Sequence, residues 1–131
     1  MNIDLDSITQ TEYRVMRETL GLPVEWVADK LGVATRSAQR WESNPNNPPI
    51  EPAIELIANA YEDVASEARL IVDDTEFEDK PVKLYRYHNQ AHINHSAGPG
   101  ANDVQLHNAV TRFAFLLLTM RGIPVEVHIP E

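Results

Sequence analysis

Five side chains able to contact double-stranded DNA lie within one short segment: Thr35, Arg36, Ser37, Gln39 and Arg40. Arginine pairs with guanine through two hydrogen bonds, glutamine pairs with adenine in the same way, and serine or threonine bonds to bases or phosphates. A helix face that is merely solvated carries Glu–Lys pairs more often than this set. The segment therefore indicates contact with the edges of base pairs.

The apolar residues around this segment predict two short helices that position it. They recur at spacings of three and four among Val27, Ala28 and Leu31, and again between Ala38 and Trp41. Gly32 lies between the two groups, where a chain leaves a helix in a left-handed conformation that costs glycine little. This pattern is typical of a helix-turn-helix, whose second helix enters the major groove of DNA.

Residues 31–42, L-G-V-A-T-R-S-A-Q-R-W-E, resemble the turn and recognition helix of the lambda-repressor-like regulators of the Xre, or Cro/cI, type. The common form of that family runs L-G-V-S-x-x-x-V-x-x-W-E. The residues in register with it are Leu31, Gly32, Val33, Trp41 and Glu42. The resemblance extends over about half the chain, and it implies a DNA-binding fold for that half.

The resemblance also implies a role for each outward residue of the second helix. Thr35, Arg36 and Arg40 correspond to positions at which the family touches base edges. Ser37 and Gln39 correspond to positions that touch phosphate or base.

The chain departs from the family pattern at two positions. Val24 stands where the family often has a glutamine that binds phosphate, and Ala34 stands where it has a serine that caps the recognition helix. We therefore expect Thr35 to cap this helix instead.

The first predicted helix offers two further cations. Thr9 and Glu12 have the spacing of a capping box, which predicts the start of the helix. Arg14 and Arg17 lie three residues apart and are expected on its outer face. They would either meet DNA phosphates or solvate the surface, and the sequence leaves both roles open.

A polar loop rich in proline and asparagine, residues 43–49, follows the DNA-contacting segment. Asn44, Asn46 and Asn47 offer amide donors to phosphates, unless the loop is only a spacer. A fourth helix is predicted from about Pro52 toward Leu70.

The 131 residues carry a formal net charge of −9 and no cysteine. The acidity opposes DNA binding, although segment 35–41 holds two arginines and no acid, so tight binding would need two protomers. Asp4 and Asp6 lie where a signal peptide would be basic, and the longest apolar run, within residues 113–120, is too short to span a bilayer. Because cysteine is absent as well, we expect a cytoplasmic protein that does not enter a membrane.

The sequence predicts an α+β fold of two domains. Residues 1–71 form an all-α domain of four helices that contains the helix-turn-helix. Residues 72–81 form an acidic linker, and residues 82–131 form a strand-helix-strand dimerisation domain.

The second domain is defined by alternation and by capping residues. Strands are predicted at residues 82–87 and 124–129, where β-forming residues alternate with polar ones. A glycine-rich loop is predicted at residues 96–101, and Asn102 or Asp103 is expected to cap the long helix that follows.

This long helix is apolar on nearly all sides, which predicts that more than one side of it is buried. Two strands cannot cover it, and a two-stranded sheet alone is only marginally stable. The simplest cover is a second copy of the chain, because two-fold dimers are common and match paired operator half-sites. Met120 belongs to the main apolar stripe. The residues expected at the dimer interface are Val110, Phe113, Ala114, Leu117, Val125 and Val127.

His88, His92 and His95 lie in the segment Y-H-N-Q-A-H-I-N-H. Imidazole is a ligand for zinc or nickel, but no cysteine or pair of carboxylates accompanies these residues. The alternative is a polar loop whose histidines bond to backbone or line the dimer seam. No phosphate-binding loop, nucleophile elbow or H-E-x-x-H motif is present, so we expect neither an enzyme nor a cofactor.

Together these features predict a homodimeric transcriptional regulator, and most simply a repressor that binds an inverted-repeat operator. The layout also resembles the compact YdiL-like and anti-CRISPR-associated repressors, which implies autoregulation. Two alternatives stay open. An antitoxin-type protein would bind DNA with the same half and wrap its acidic segments on a basic toxin, and a histidine-loop protein would bind a metal.

Overall fold

The structure, a computed structural model, describes residues 3–75, 80–98 and 103–131. It combines helices with one small parallel sheet, so the expected α+β class is confirmed as a mixture of helices and a sheet. The chain divides into two compact units, Met1–Asp63 and Val64–Glu131, and the division falls within a helix.

Helices form most of the described part of the chain. After a short 3-10 turn at Leu5–Ser7 come helices α1 (Gln10–Thr19), α2 (Val24–Leu31), α3 (Thr35–Ser43) and α4 (Glu51–Asp73). They are followed by β1 (Val82–Tyr85), α5 (Gln90–Ala97), α6 (Val104–Met120) and β2 (Val125–His128). Within the described residues, no helix has both the length and the apolar character needed to cross a membrane.

Local sequence explains where the first helices begin and end. The Thr9 hydroxyl accepts the backbone N–H of Glu12, and the Glu12 carboxylate accepts that of Thr9, so the predicted capping box is confirmed. Gly32 ends α2 with φ of 66° and ψ of 34°. This left-handed conformation costs residues other than glycine roughly 1–2 kcal/mol. The chain needs only Val33 and Ala34 to reach α3.

The core of the first unit is built from the helix faces that the periodicity indicated. Val27 and Ala28 of α2 are buried, as are Ala38 and Trp41 of α3. Each fully buried large apolar side chain contributes about 1.5–3 kcal/mol of transfer free energy. The other buried apolar residues of this unit are Tyr13, Leu20, Leu22, Trp26, Ala53, Ile57, Ala58 and Ala60.

The sheet of the second unit is a parallel pair. Val82 lies opposite Val125, and Leu84 lies opposite Val127. Parallel strands need a long crossover connection, and α5 and α6 occupy the chain between them. Helix α6 packs against both strands. It buries Val104, Ala109, Val110, Ala114 and Leu118.

Two polar residues of α6 are also buried, because they bond to the backbone at the end of β1. Thr111 Oγ1 donates to the Tyr85 carbonyl at 2.6 Å. The Asn108 side chain accepts the N–H of Tyr87 at 3.0 Å and donates to its carbonyl at 2.8 Å. These bonds satisfy the backbone of Tyr87, so β1 ends earlier than the predicted strand at residues 82–87.

One helix was not predicted from the sequence. The segment that contains His92 and His95 was expected to be a polar loop, but residues 90–97 form α5. Asn89 caps this helix by accepting the backbone N–H of His92, and Ile93 anchors it by burial.

The connections lie partly outside the described residues. In the expected linker, Val72 and Asp73 belong to α4, and residues 76–79 are not among those described. In the expected loop at 96–101, residues 99–101 lie outside as well, as does the candidate cap Asn102. The other candidate, Asp103, caps α6 by accepting two backbone N–H groups.

Candidate functional site

Helix α3 buries one side and exposes the other. Ala38 and Trp41 are buried. Because an α-helix turns about 100° per residue, Arg36, Gln39 and Arg40 lie on the opposite side. All three are exposed. We call them, with the exposed Ser43 that follows on the same side, the α3 strip.

The edges of the α3 strip differ in part from the sequence expectation. Thr35 and Ser37 flank it and are half-buried. The expectation that Thr35 caps α3 is wrong, because Thr35 is already the first helical residue and the cap position belongs to Ala34. No described side chain caps this helix end. Ser43 was not singled out from the sequence, and its hydroxyl donates to the Gln39 carbonyl at 3.0 Å.

The α3 strip carries positive charge although the chain as a whole is acidic. Within residues 3–75, 80–98 and 103–131, neither Arg36 nor Arg40 forms an ion pair. The one acid of α3, Glu42, is turned toward α1 and is paired there with Arg17. Both arginines of the strip therefore present their charge to solvent.

The partner of Glu42 corrects the expectation for Arg17. Its Nε and Nη2 donate to the two carboxylate oxygens of Glu42 at 2.6 and 2.7 Å, and its Nη1 donates to the Leu22 carbonyl at 2.7 Å. The two side chains are only 12% and 6% exposed. The hydrogen bond with Glu42 raises the pKa of Arg17 above its usual value. Arg17 is thus not an outer-face residue but ties α1 to α3.

The sequence did contain a signal for this placement. Arg17 lies four residues after Tyr13 and three before Leu20, so it shares their buried face. Arg14, by contrast, is exposed as expected and forms an ion pair with Glu18 at 3.3 Å. Of the two arginines, only Arg14 remains a candidate for contact with DNA.

Tyr13 lies beside this ion pair with a buried hydroxyl. No described group forms a hydrogen bond with that hydroxyl. Burial, and next the nearby carboxylate of Glu42, raise the pKa of Tyr13 to about 12, although the charge of Arg17 acts in the opposite direction. The neutral phenol is therefore strongly preferred in the folded chain.

A second link joins α1 to the end of α3. Gln10 Nε2 donates to the carbonyls of Trp41 and Asn44, both at 2.8 Å. These carbonyls lie at the end of a helix, where no intrahelical donor is available. This contact could not be predicted from local sequence patterns, because the partners lie 31 and 34 residues away.

The loop after α3 forms a cleft of about 270 Å³ with the end of the helix. Arg40 lines it together with Asn46 and Asn47, so the structure brings these predicted contact residues together. Asn44 instead shapes the turn. Its side-chain oxygen accepts the N–H of Asn46 at 2.9 Å, and its carbonyl accepts the N–H of Asn47 at 2.9 Å.

The three histidines of the candidate metal segment are not arranged around one point. His92 Nδ1 accepts the backbone N–H of His88 at 3.0 Å, and its Nε2 bonds to the Pro130 carbonyl. The ring of His88 stacks on that of His92, while His95 lies exposed on α5. Among the described residues, no three His, Cys, Asp or Glu side chains are grouped so as to hold a metal. Both ring nitrogens of His92 are used by backbone groups.

The residues expected at the dimer interface differ in how far they are exposed to solvent. Val110 and Ala114 are buried inside the chain itself, whereas Phe113, Leu117 and Val125 are half-buried and Val127 is 44% exposed. Two buried residues cannot meet a partner without rearrangement. The large apolar residues most exposed on α6 are Phe115, Leu116 and Met120, at 43%, 57% and 75%.

Comparison with protein-family models and with curated proteins finds no match for this chain. The functional interpretation therefore depends on the geometry of α1, α2, α3 and the loop that follows them.

Proposed function

We propose that this chain is a sequence-specific DNA-binding regulator of the helix-turn-helix type, similar to the Xre family. The observation that carries the proposal is the α3 strip, which presents Arg36, Gln39 and Arg40 on one exposed face. The opposite face of α3 is held by burial and by side chains of α1. These side-chain types match the hydrogen-bonding groups that base pairs offer in the major groove.

In this proposal α3 enters the major groove, and Arg36 and Arg40 contact base edges one helical turn apart. Each good two-bond contact of this kind contributes about 1–3 kcal/mol of discrimination against a wrong base. Asn46 and Asn47, which line the cleft beside Arg40, donate to a phosphate and so fix the register of the helix on the duplex.

Restraint of α3 supports sequence-specific contact, because a helix that is already fixed loses little freedom when it binds. Three features restrain it: the ion pair of Arg17 with Glu42, the amide of Gln10, and the burial of Ala38 and Trp41. They act on the side of α3 that faces away from the proposed DNA surface.

The low positive charge of the proposed surface favours a dimer. With two arginines on the α3 strip and a net charge of −9, one protomer gains little from phosphate contacts. When two copies bind an inverted repeat with half-sites about 34–36 Å apart, the binding free energies of the two half-sites combine. We therefore propose a homodimeric cytoplasmic repressor that blocks transcription by occupying its operator.

The test is selection of a binding sequence by the full chain from a random pool of duplex DNA that also contains its own upstream DNA. Affinity for the selected duplex and for a scrambled one is then measured by fluorescence anisotropy. Arg36→Ala and Arg40→Ala are compared with Arg69→Ala. Arg69 is the matched control because its exposed guanidinium lies on α4, where among the described residues it pairs with Asp73, one helical turn further on.

We expect each α3 variant to bind the selected duplex roughly 5- to 150-fold more weakly and the scrambled duplex almost unchanged. Arg69→Ala should change neither affinity by more than about twofold, since it removes an exposed and screened charge. If no sequence is enriched, or if the α3 variants lose equal affinity for both duplexes, base recognition by these arginines is wrong.

A further inference from the structure

The register of the small sheet determines which backbone groups of β2 are free. The N–H of Val82 donates to the Pro124 carbonyl, and that of Arg86 donates to the His128 carbonyl, both at 2.9 Å. Successive residues of a strand direct their N–H and C=O groups to opposite edges. The even-numbered residues of β2 therefore face β1, and Val125 and Val127 direct theirs to the other edge, as does Ile129 just after the strand.

The other edge of the sheet is covered at Tyr85 and Tyr87. On the outer edge of β1, the Tyr85 carbonyl accepts Thr111 Oγ1 at 2.6 Å and is approached by His107 Nε2 at 3.3 Å. Within residues 3–75, 80–98 and 103–131, β1 is the one strand bonded to β2. The free edge of β2 is therefore the more open edge of this sheet in the described part of the chain.

The residues of β2 that face this edge include neither proline nor lysine. Proteins usually protect an exposed edge with proline, lysine or a bulge. Pro124 and Pro130 fall at even positions, so neither removes a donor from the free edge. Val125, Val127 and Ile129 are β-branched, and the last two are 44% and 51% exposed.

We propose that this edge pairs antiparallel with β2 of a second copy, across a two-fold axis at Val127. In that register Val127 exchanges both backbone hydrogen bonds with Val127 of the second copy. Val125 pairs in the same way with Ile129 of the second copy. This pairing would form the homodimer of the proposed function. The biological role of the pairing therefore rests on that proposed function.

Side chains on both faces suit a second copy. On the outer face this register sets Glu126 opposite His128 of the second copy, a complementary cross-strand pair whose members already lie 3.0 Å apart within one chain. On the inner face Val127 and Phe115 line one cleft of about 370 Å³. The two-fold axis is perpendicular to the sheet and keeps both α6 helices on this face, so that Phe115 gains apolar cover.

In this register Val127 lies opposite Val127 of the second copy. Opposite charges introduced at this position in two variants should therefore attract each other, whereas the same charge in both copies should repel. Sedimentation of the full chain over a concentration series, without DNA, gives the dimer dissociation constant. Val127→Lys and Val127→Glu are each measured alone and then mixed in equal amounts. Val15→Lys is the matched control, since Val15 is a comparably exposed valine on α1. Far-UV circular dichroism checks that each variant is folded.

We expect each variant at Val127 to weaken the dimer roughly 30-fold or more, because like charges meet and two valines lose their burial. The mixture should recover to within about tenfold of the unmodified chain, and Val15→Lys should dimerise normally. A wild-type chain that is monomeric throughout, variants that dimerise as before, or a mixture that shows no recovery would each overturn the pairing. Because no DNA is present, these outcomes are independent of whether a binding sequence is found.

Discussion

Breaking the pair of Arg17 and Glu42 should destabilise the chain far more than loss of an exposed arginine. The two side chains are 12% and 6% exposed, and Arg17 uses three nitrogens in hydrogen bonds. Arg17→Met keeps an apolar stem but leaves the Glu42 carboxylate buried without its main partner. Removing one member of a buried pair costs about 3–5 kcal/mol. Arg14, 3.9 Å from Glu42, offsets part of this loss, so we expect about 3 kcal/mol.

The assay is urea unfolding of Arg17→Met, Glu42→Leu and the double variant. A buried ion pair replaced by apolar residues is often close to neutral, so the double variant should lie within about 1 kcal/mol of the unmodified chain. The melting temperature of the single variant Arg17→Met should also lie roughly 10 °C below that of the unmodified chain. Arg69→Met is the control, because its exposed pair contributes at most about 0.5 kcal/mol.

Two results would refute this reasoning. One is an Arg17→Met variant whose free energy of unfolding lies within about 0.5 kcal/mol of the unmodified chain, comparable to an exposed pair. The other is a double variant as unstable as the sum of its single variants, because the two residues would then not be coupled.

Two further substitutions test the surroundings of α3. Tyr13→Phe removes a buried hydroxyl for which the described residues offer no partner, and should raise the free energy of unfolding at neutral pH by about 1 kcal/mol; a loss would show that the hydroxyl is bonded. The pKa of Tyr13 rises from 10.0 to about 12 on folding. The stabilisation of the folded chain that comes from keeping the Tyr13 phenol protonated is therefore complete below pH 10.0, and it is lost as the pH rises through about 12. Between about pH 9 and 12, the free energy of unfolding of the unmodified chain should accordingly fall by about 2 kcal/mol more than that of Tyr13→Phe, as measured by urea titrations. Equal decreases in the two proteins would contradict the burial of the phenol. Gly32→Ala should cost about 1 kcal/mol of stability from φ alone, since beyond its chain neighbours no described atom lies within 4 Å of the added Cβ. Gly32→Asn should cost less, and an alanine variant of unchanged stability would contradict the left-handed turn.

Signals that act over a few residues were sufficient to predict much of the fold. The reciprocal bonds of Thr9 and Glu12 and the left-handed Gly32 follow from local backbone chemistry, and the structure contains both. The burial of Ala38 and Trp41 follows from helical spacing, and it determines which side of α3 is exposed. Arg36, Gln39 and Arg40 of the α3 strip could therefore be predicted without tertiary information, whereas Ser43 was not singled out.

Features that depend on distant partners were not predicted. Arg17 was expected on the outer face of its helix, but its side chain is largely buried by its pair with Glu42, which lies 25 residues away in the sequence. The contact of Gln10 with the end of α3 is of the same kind. Met120 belongs to the apolar stripe of α6 but is 75% exposed, because periodicity identifies a face and not what covers it.

Helix α5 was missed for a different reason. Its residues give a weak periodic signal, and one buried residue, Ile93, anchors it. The cap at Asn89 was visible in the sequence, but asparagine is equally common in loops, so it could not identify a helix by itself.

The most direct test of the central claim is the affinity of Arg36→Ala for the selected duplex and for its scrambled counterpart, measured side by side. Sequence-specific contact by the α3 strip predicts a loss of roughly 5- to 150-fold on the selected duplex and almost none on the scrambled one. Equal affinities of the variant and the unmodified chain for the selected duplex would contradict the claim, because the most exposed side of α3 would then not contact DNA.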